Sequence, residues 1–418
     1  MTRTSDPPRS AAAVAVERIC GGGAYSNLVL GGAKLRSSER PFYTALVRGT
    51  VERLRTLRFV VGLYARRPPD RMTEAILCTG IYQILYMDKV PDSAACNESV
   101  RVARELVSAK EAGFVNAVLR SVCRDQASLS ERIAAQPDGV RYSLSDSLCA
   151  RLRAQYPEQS EDIFASFFEP DGLPLCVNTR RITVRTLADR LTAEGIEYAY
   201  TDDGLPVVVS GAEKALGMLN EGLFFVQGVA SRRAVRTLGA EPGMTVLDVC
   251  ACPGGKTLSA AIDMNDSGVV QAFDLHANKL SLIEKSARTL GLSCIRTGCR
   301  DARDPASEWV GTADRVICDV PCTSIGVIAA KPEIRYKDVT DISSLTAAQR
   351  DILAASASYL RSGGVLVYST CSLDARENGE IVRAFLRDAP GFELAEERQT
   401  LPCEPYCDGF YAAKIIKK

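Results

Sequence analysis

Apolar residues recur at helical spacing over 73–87 and again over 99–122, which predicts an amphipathic helix in each stretch. A shorter apolar run, 11–16, is cut off by Glu17 and Arg18 and reads as the first turns of another helix, not as the core of an export signal. Gly21-Gly22-Gly23, Pro68-Pro69 and Pro91 break these patterns, and the segment from Pro91 to Ser93 supplies a stop followed by a helix start. Residues 1–138 are thus expected to be all helix, a binding module without a catalytic constellation. Between 141 and 225 the pattern mixes: strands at 175–178 and 206–209 flank a helix at 186–194, as in a small α+β linking domain. From 226 to 418, apolar strands (245–249, 268–274, 294–298, 313–319, 364–370) alternate with helices (from 256, 279–290, 346–360). Continuous apolar strands separated by helices predict a parallel sheet with right-handed crossovers, an α/β doubly wound fold. Strands at 392–396 and 409–416 have no usable helix between them and predict an antiparallel edge.

Composition narrows the chemistry. No run reaches the roughly 20 apolar residues of a membrane span, so a cytoplasmic protein with no membrane partner is expected. The fifteen cysteines are scattered through apolar stretches and read as reduced, mostly buried residues. His276 is the only histidine, and no paired Cys-x-x-Cys knuckles exist, so no metal site is expected. The single histidine also removes most Ser-His and Cys-His hydrolase mechanisms, leaving Cys, Asp, Glu and Lys. Net charge is zero, yet residues 1–70 hold twelve Lys/Arg against five Asp/Glu, with Arg48, Arg53, Arg55, Arg58, Arg66 and Arg67 crowded together. Such a cluster either neutralises phosphates or forms a solvated helix face.

Two places carry candidate chemistry. At the first strand-to-helix turn of the third region stands Asp248-Val249-Cys250-Ala251-Cys252-Pro253-Gly254-Gly255-Lys256. It is neither the G-x-G-x-x-G of dinucleotide enzymes nor a P-loop. Its glycines let a ligand approach the backbone, and the helix that follows offers free N–H groups to a carboxylate. Asp274, ending the next strand, can accept two ribose hydroxyls, and Asp301, after the third, can hold an adenine amino group. Cys250 to Lys256, Asp274, Asp301 and Asp319 are therefore the candidate cofactor residues. The second place is a pair of strand ends, Asp319-Val320-Pro321-Cys322 and Tyr368-Ser369-Thr370-Cys371-Ser372. Neighbouring strands lie about 4.8 Å apart, so both thiols can reach one small ring. A thiolate adding to C6 of a cytosine makes C5 nucleophilic enough to take a methyl group, and a carboxyl at N3 and the exocyclic amine stabilises the developing charge, a role for Asp319. Lys256 is a candidate for favouring a thiolate. Spacing alone leaves open which cysteine attacks.

These residues resemble the RNA cytosine-C5 methyltransferases of the NOL/NOP2/sun group. Asp248 to Lys256 is similar to their D-x-C-A-A-P-G-G-K, Asp319 to Cys322 to D-A-P-C, and Thr370-Cys371-Ser372 to T-C-S. The helical first region resembles a NusB-type RNA-binding domain, including Gly113-Phe114-Val115-Asn116-Ala117-Val118-Leu119-Arg120. The resemblance implies a Rossmann-like class I methyltransferase domain, S-adenosyl-L-methionine as cofactor, and small-subunit rRNA as partner of a monomeric enzyme. It also implies that Cys371 is the nucleophile and that Cys322 helps release product. Thr323-Ser324-Ile325-Gly326 departs from the group's S-G-T-G, and Gln227-Gly228 stands where Gln-Asp is common. A tRNA cytosine methyltransferase and an inactive RNA-binding assembly factor are the competing readings; the intact Asp319, Cys322 and Cys371 argue against the second.

Overall fold

The computed structural model describes residues 8–22, 26–169 and 172–418. The start of the predicted helical region, residues 1–7, and Gly23 of the predicted glycine break lie outside them. Two compact units emerge, one of Met1–Ala154 with Ile328–Thr340, the other of Gln155–Val327 with Asp341–Lys418.

In the first unit the helical periodicity becomes long helices at Pro8–Gly22, Arg40–Glu52, Leu54–Tyr64, Arg71–Tyr86, Asp92–Leu106 and Ala109–Ala134. Their apolar faces bury Leu57, Ile76, Leu77, Ile81 and Leu119 together. Asp70 starts the helix over 71–86 by accepting the Thr73 amide at 3.0 Å, satisfying one of its orphan donors. The helix predicted over 99–122 is in fact two. Its apolar period runs through Val107 and Ser108, but the Ser108 backbone is extended and its hydroxyl accepts the Glu111 amide at 3.1 Å, capping a new helix. A second difference concerns Ile328–Thr340, which sequence order puts in the third region but which belongs to the helical unit. Tyr336 explains its capture. The ring packs on the helical core, and the hydroxyl donates to the Val51 carbonyl, accepts the Leu54 amide at 3.1 Å and meets the Ser143 hydroxyl at 2.9 Å. Beside it Arg335 is fully buried, donates to the Tyr142 carbonyl, and has its guanidinium lowered to about 10 by burial.

The second unit holds both sheets. The small one comprises β1 (Leu173–Val177), β2 (Glu197–Tyr200), β3 (Pro206–Ser210) and β4 (Phe224–Val226), antiparallel in the order β2-β3-β1-β4. The helix Val184–Ala193 covers it, burying Leu187 and Leu191 against Leu175, Val177 and Val208. The large sheet comprises β5 (Thr245–Asp248), β6 (Val269–Asp274), β7 (Ile295–Cys299), β8 (Ala313–Asp319), β9 (Leu360–Thr370), β10 (Phe392–Thr400) and β11 (Phe410–Lys417), in the order β10-β11-β9-β8-β5-β6-β7. Strands β5 to β9 run parallel, while β11 lies antiparallel between β9 and β10. The expected antiparallel edge is therefore present. Not anticipated were β2, β4 and the helices Ser160–Ser166, Ala212–Gly217, Val229–Leu238 and Gly379–Asp388. The small sheet is tied to the large one within this unit by Asn178, whose buried amide donates to the carbonyls of Gly222 and Leu290, both at 2.9 Å.

Candidate active site

Because β5, β6, β7, β8 and β9 are parallel, the loops that follow them gather at one edge of the sheet, where open α/β folds bind ligands. Register makes this concrete. Asp274 pairs with Cys299, so Asp301 follows two residues beyond, and Asp319 pairs with Ser369, two residues before Cys371.

The loop after β5 leads into the helix Gly255–Asp263. Gly254 sits at φ +111°, and a Cβ there would come within 3.0 Å of Ile283, so only glycine suits the turn. Asp274 accepts the Cys252 amide at 3.1 Å and the His276 amide at 2.9 Å; a carboxylate has lone pairs beyond these two. Leu275 beside it is 57% exposed, a flat apolar surface next to that acid. Under the loop, Asp248 accepts the Thr257 hydroxyl through one oxygen, while its other oxygen is buried with no partner. Burial raises this carboxyl to about 7. A bare turn, a hydroxyl-accepting strand-end acid, an apolar ledge and an orphaned buried oxygen together fit an amino acid joined to a nucleoside, the chemistry of S-adenosyl-L-methionine. Asp301 stands at the same edge, but Arg303 engages both its oxygens, at 2.6 Å from one, and holds the carboxyl down near 2.

The second cluster lies at the ends of β8 and β9. Asp319 accepts the Ser369 hydroxyl at 2.6 Å through one oxygen and Lys256 at 2.7 Å through the other. Lys256 is thus aimed at Asp319, with its ammonium 5.0 Å from the centre of the Phe410 ring. The sulfurs of Cys322 and Cys371 are 3.3 Å apart. Hydrogen bonding to Cys371, burial and the charges of Glu377 and Asp319 push the Cys322 thiol well up, which favours its neutral form. The loop after Cys322 folds back so that the Gly326 amide donates to the Cys371 carbonyl at 3.0 Å. In that loop Ser324 adopts φ +63°, a left-handed conformation that suits the glycine of the S-G-T-G pattern.

Sequence reasoning missed Glu377. It is fully buried and accepts hydrogen bonds from Thr323, Ser372 and Gln349. The acid follows Cys371 by six positions in an unremarked turn, and only the fold brings it to Thr323. Gln227, which keeps the first residue of the Gln-Asp pair while Gly228 departs from the second, also proves to be buried. It accepts the Ser259 hydroxyl and lies 3.5 Å from where a Cβ on Gly255 would stand, bracing the cofactor loop from behind.

The arginine crowd of the first unit is laced with acids. Arg48 pairs with Glu52, Arg55 with Asp146, Arg58 with Glu74 and Arg67 with Glu111, and Arg53 stacks over Tyr86. Much of its charge is matched locally, so the solvated-face reading gains over a phosphate-binding patch. Among the described residues no cluster suits a metal ion, and no helix is long and apolar enough to cross a membrane.

Comparison with known proteins agrees with this architecture. The family described as NusB matches residues 7–124, a ferredoxin-like domain of RsmF/B-like methyltransferases matches 145–208, and the family described as 16S rRNA methyltransferase RsmB/F matches 235–416. "Probable ribosomal RNA small subunit methyltransferase B" of Bacillus subtilis is 32% identical over 94% of this chain and 95% of its own. The Vibrio cholerae protein named ribosomal RNA small subunit methyltransferase B is also 32% identical, over 92% of this chain and 91% of its own. A crystal structure of PH0851 shares the fold with a TM-score of 0.81, at 22% identity over 99% of this chain and all of that one. The chain is a member of the RsmB/F family of 16S rRNA methyltransferases.

Proposed function

We propose that the chain transfers a methyl group from S-adenosyl-L-methionine to C5 of a cytosine in 16S rRNA, through a covalent bond between Cys371 Sγ and C6 of the base. The observation that carries this reading is the pair of sulfurs 3.3 Å apart at the sheet edge that also holds Asp319, Lys256 and the glycine loop. When bound, the cofactor supplies an electrophilic methyl group on a sulfonium. The protein does the rest. Cys371 adds to C6 as a thiolate, which pushes electron density to C5. Cys322, kept neutral by burial and by the carboxylates near it, donates a hydrogen bond to that sulfur and leaves the negative charge on Cys371. Asp319 accepts from the exocyclic amine and, by carrying a proton to N3, offsets the charge that builds there, while Lys256 and Ser369 fix its orientation. After transfer a base, a water in the open site, takes the C5 proton, and the electrons of that bond re-form the C5–C6 double bond. The C6–Sγ bond breaks with its electrons returning to Cys371, and Cys322 serves this release step by hydrogen-bonding to the departing sulfur. A base paired in the RNA must first leave its stack to reach the thiols. The small-subunit substrate is inferred from the relatives matched along nearly the whole chain.

Purified chain, cofactor and undermodified small-subunit rRNA test the proposal. Cys371→Ala is expected to abolish methyl transfer, and Cys322→Ala to accumulate a protein–RNA adduct that survives a denaturing gel. Bisulfite sequencing then locates the 5-methylcytosine. Activity retained in Cys371→Ala but lost in Cys322→Ala would reverse the nucleophile assignment. Transfer to an atom other than C5 would end the proposal.

A further inference from the structure

Glu377 has no part in the chemistry just described, yet it sits at the junction of both cysteine loops. One of its oxygens accepts the Thr323 amide at 2.8 Å and the Gln349 amide at 3.0 Å; the other accepts the hydroxyls of Thr323 and Ser372, each at 2.5 Å. Thr323 directly follows Cys322, and Ser372 directly follows Cys371. The two hydroxyls also meet at 3.1 Å. Gln349 extends the clamp to the residue before Cys322 by donating to the Pro321 carbonyl at 2.9 Å. Glu377, Ser372 and Gln349 are all fully buried, so water cannot replace a lost partner without cost. The acid's own backbone is held too, since its carbonyl accepts the Tyr368 hydroxyl at 2.7 Å from within β9.

Resting on the cysteine mechanism proposed above, we infer that Glu377 is a positioning residue: its carboxylate locks the loops after β8 and β9 together and thereby sets the separation of the Cys322 and Cys371 sulfurs. The four donors come from the loops after two strands and from one helix. Sheet pairing aligns those strands as far as Asp319 and Ser369, and past that point the carboxylate ties the two cysteine loops to each other and to the helix. A carboxylate is the side chain that can accept all four, because it has two oxygens and no donor of its own. An amide would turn one oxygen into a donor facing hydroxyls that already donate. The position also agrees with the mechanism electrostatically, since the Glu377 charge helps hold Cys322 in its neutral form, the state assigned to Cys322 while Cys371 attacks. Glu377 is buried away from substrate, so it acts through Thr323 and Ser372 and never on the base itself.

The test compares wild type, Glu377→Gln, Ser372→Ala and Thr323→Val as full-length chains. Glu377→Gln is expected to lower kcat at least about tenfold with KM for RNA within about twofold, the pattern of a group that acts in the reacting state. Ser372→Ala and Thr323→Val should each lower kcat less, and adding either to Glu377→Gln should cost little more. A readout without turnover uses dibromobimane, which bridges two nearby thiols, with the joined peptides identified by mass. The Cys322–Cys371 bridge should form in wild type and fall several-fold in Glu377→Gln. The bridge between Cys96 and Cys123, whose sulfurs lie 3.6 Å apart in the other unit, should not change. Continued protection of the buried Cys318 from iodoacetamide marks an intact second unit. If Cys318 becomes labelled in Glu377→Gln, the two hydroxyl variants carry the test and should each reduce the bridge. Undiminished kcat and bridge yield in an intact variant would overturn the inference. Wild type that bridges its thiols but methylates no RNA would instead refute the proposed function, and the bridging result would still judge Glu377.

Discussion

Single residues at the reactive edge show how local strain and burial serve the site. Ser324 occupies a left-handed conformation that costs an L residue about 1–2 kcal/mol, and Gly326 two positions on has no room at all. A Cβ there would stand 1.8 Å from the Gly409 carbonyl oxygen, against which the loop packs. Ser324→Gly should therefore be neutral to stabilising by up to about 1 kcal/mol, whereas Gly326→Ala should cost about 1–3 kcal/mol. Urea unfolding measures both, and a destabilised Ser324→Gly would contradict the strain argument. Asp248 makes a pH prediction. Burial raises its carboxyl from 3.8 to about 7 in the folded chain, so between those values the folded state keeps a proton that the unfolded state has released. Its contribution to stability is then fully present below about pH 4 and is lost as the pH rises toward 7. Asp248→Asn is expected to flatten that decline in thermal melts of the cofactor-free protein from pH 5 to 8, and parallel slopes in the two proteins would refute the assignment.

Elements were legible where a local period or a local motif decided them. The central strands β5, β6, β8 and β9 are largely buried and announce themselves as apolar runs. Strand β7 at the sheet edge is half-buried or exposed and less marked, and the loop after β5 is legible from its glycines. What could not be read depends on partners distant in sequence. The break at Ser108 hides in an unbroken apolar period because a single hydroxyl ends one helix and starts the next. Strand β2 has no apolar run, its residues being half-buried or exposed, and β4 has only three residues. Glu377 shows the same limit at the site: nothing near it in sequence reveals that Thr323 will donate to it. Tyr336 is another such case, since its partners Val51, Leu54 and Ser143 precede it by almost two hundred residues or more. Tyr336→Phe, which keeps the ring but leaves the Leu54 amide short of an acceptor, should destabilise the helical unit by about 1–3 kcal/mol. Hydrogen exchange at the Leu54 amide would register it, and unchanged protection there would show that the hydroxyl is dispensable.

At the scale of the molecule, the helical unit is built from two separated parts of the chain, Met1–Ala154 and Ile328–Thr340. A chain shortened to begin at Gln155 would leave Ile334 and Tyr336 without the core that buries them. Limited trypsin digestion of such a chain is expected to cut after Arg335 and Lys337 at enzyme levels that leave the full-length protein whole, and equal resistance would show the segment to be held by other means. The same interruption also puts a clock on biosynthesis. The amino-terminal helices emerge from the ribosome long before Tyr336 has been translated. At about 5–20 residues per second, the helical unit waits on the order of ten seconds or more for its last core residues. During that interval the apolar core residues that the Tyr336 ring covers are open to whatever the cell offers, so nascent chains of this protein are expected to be chaperone clients in a window that closes only once translation has passed Thr340.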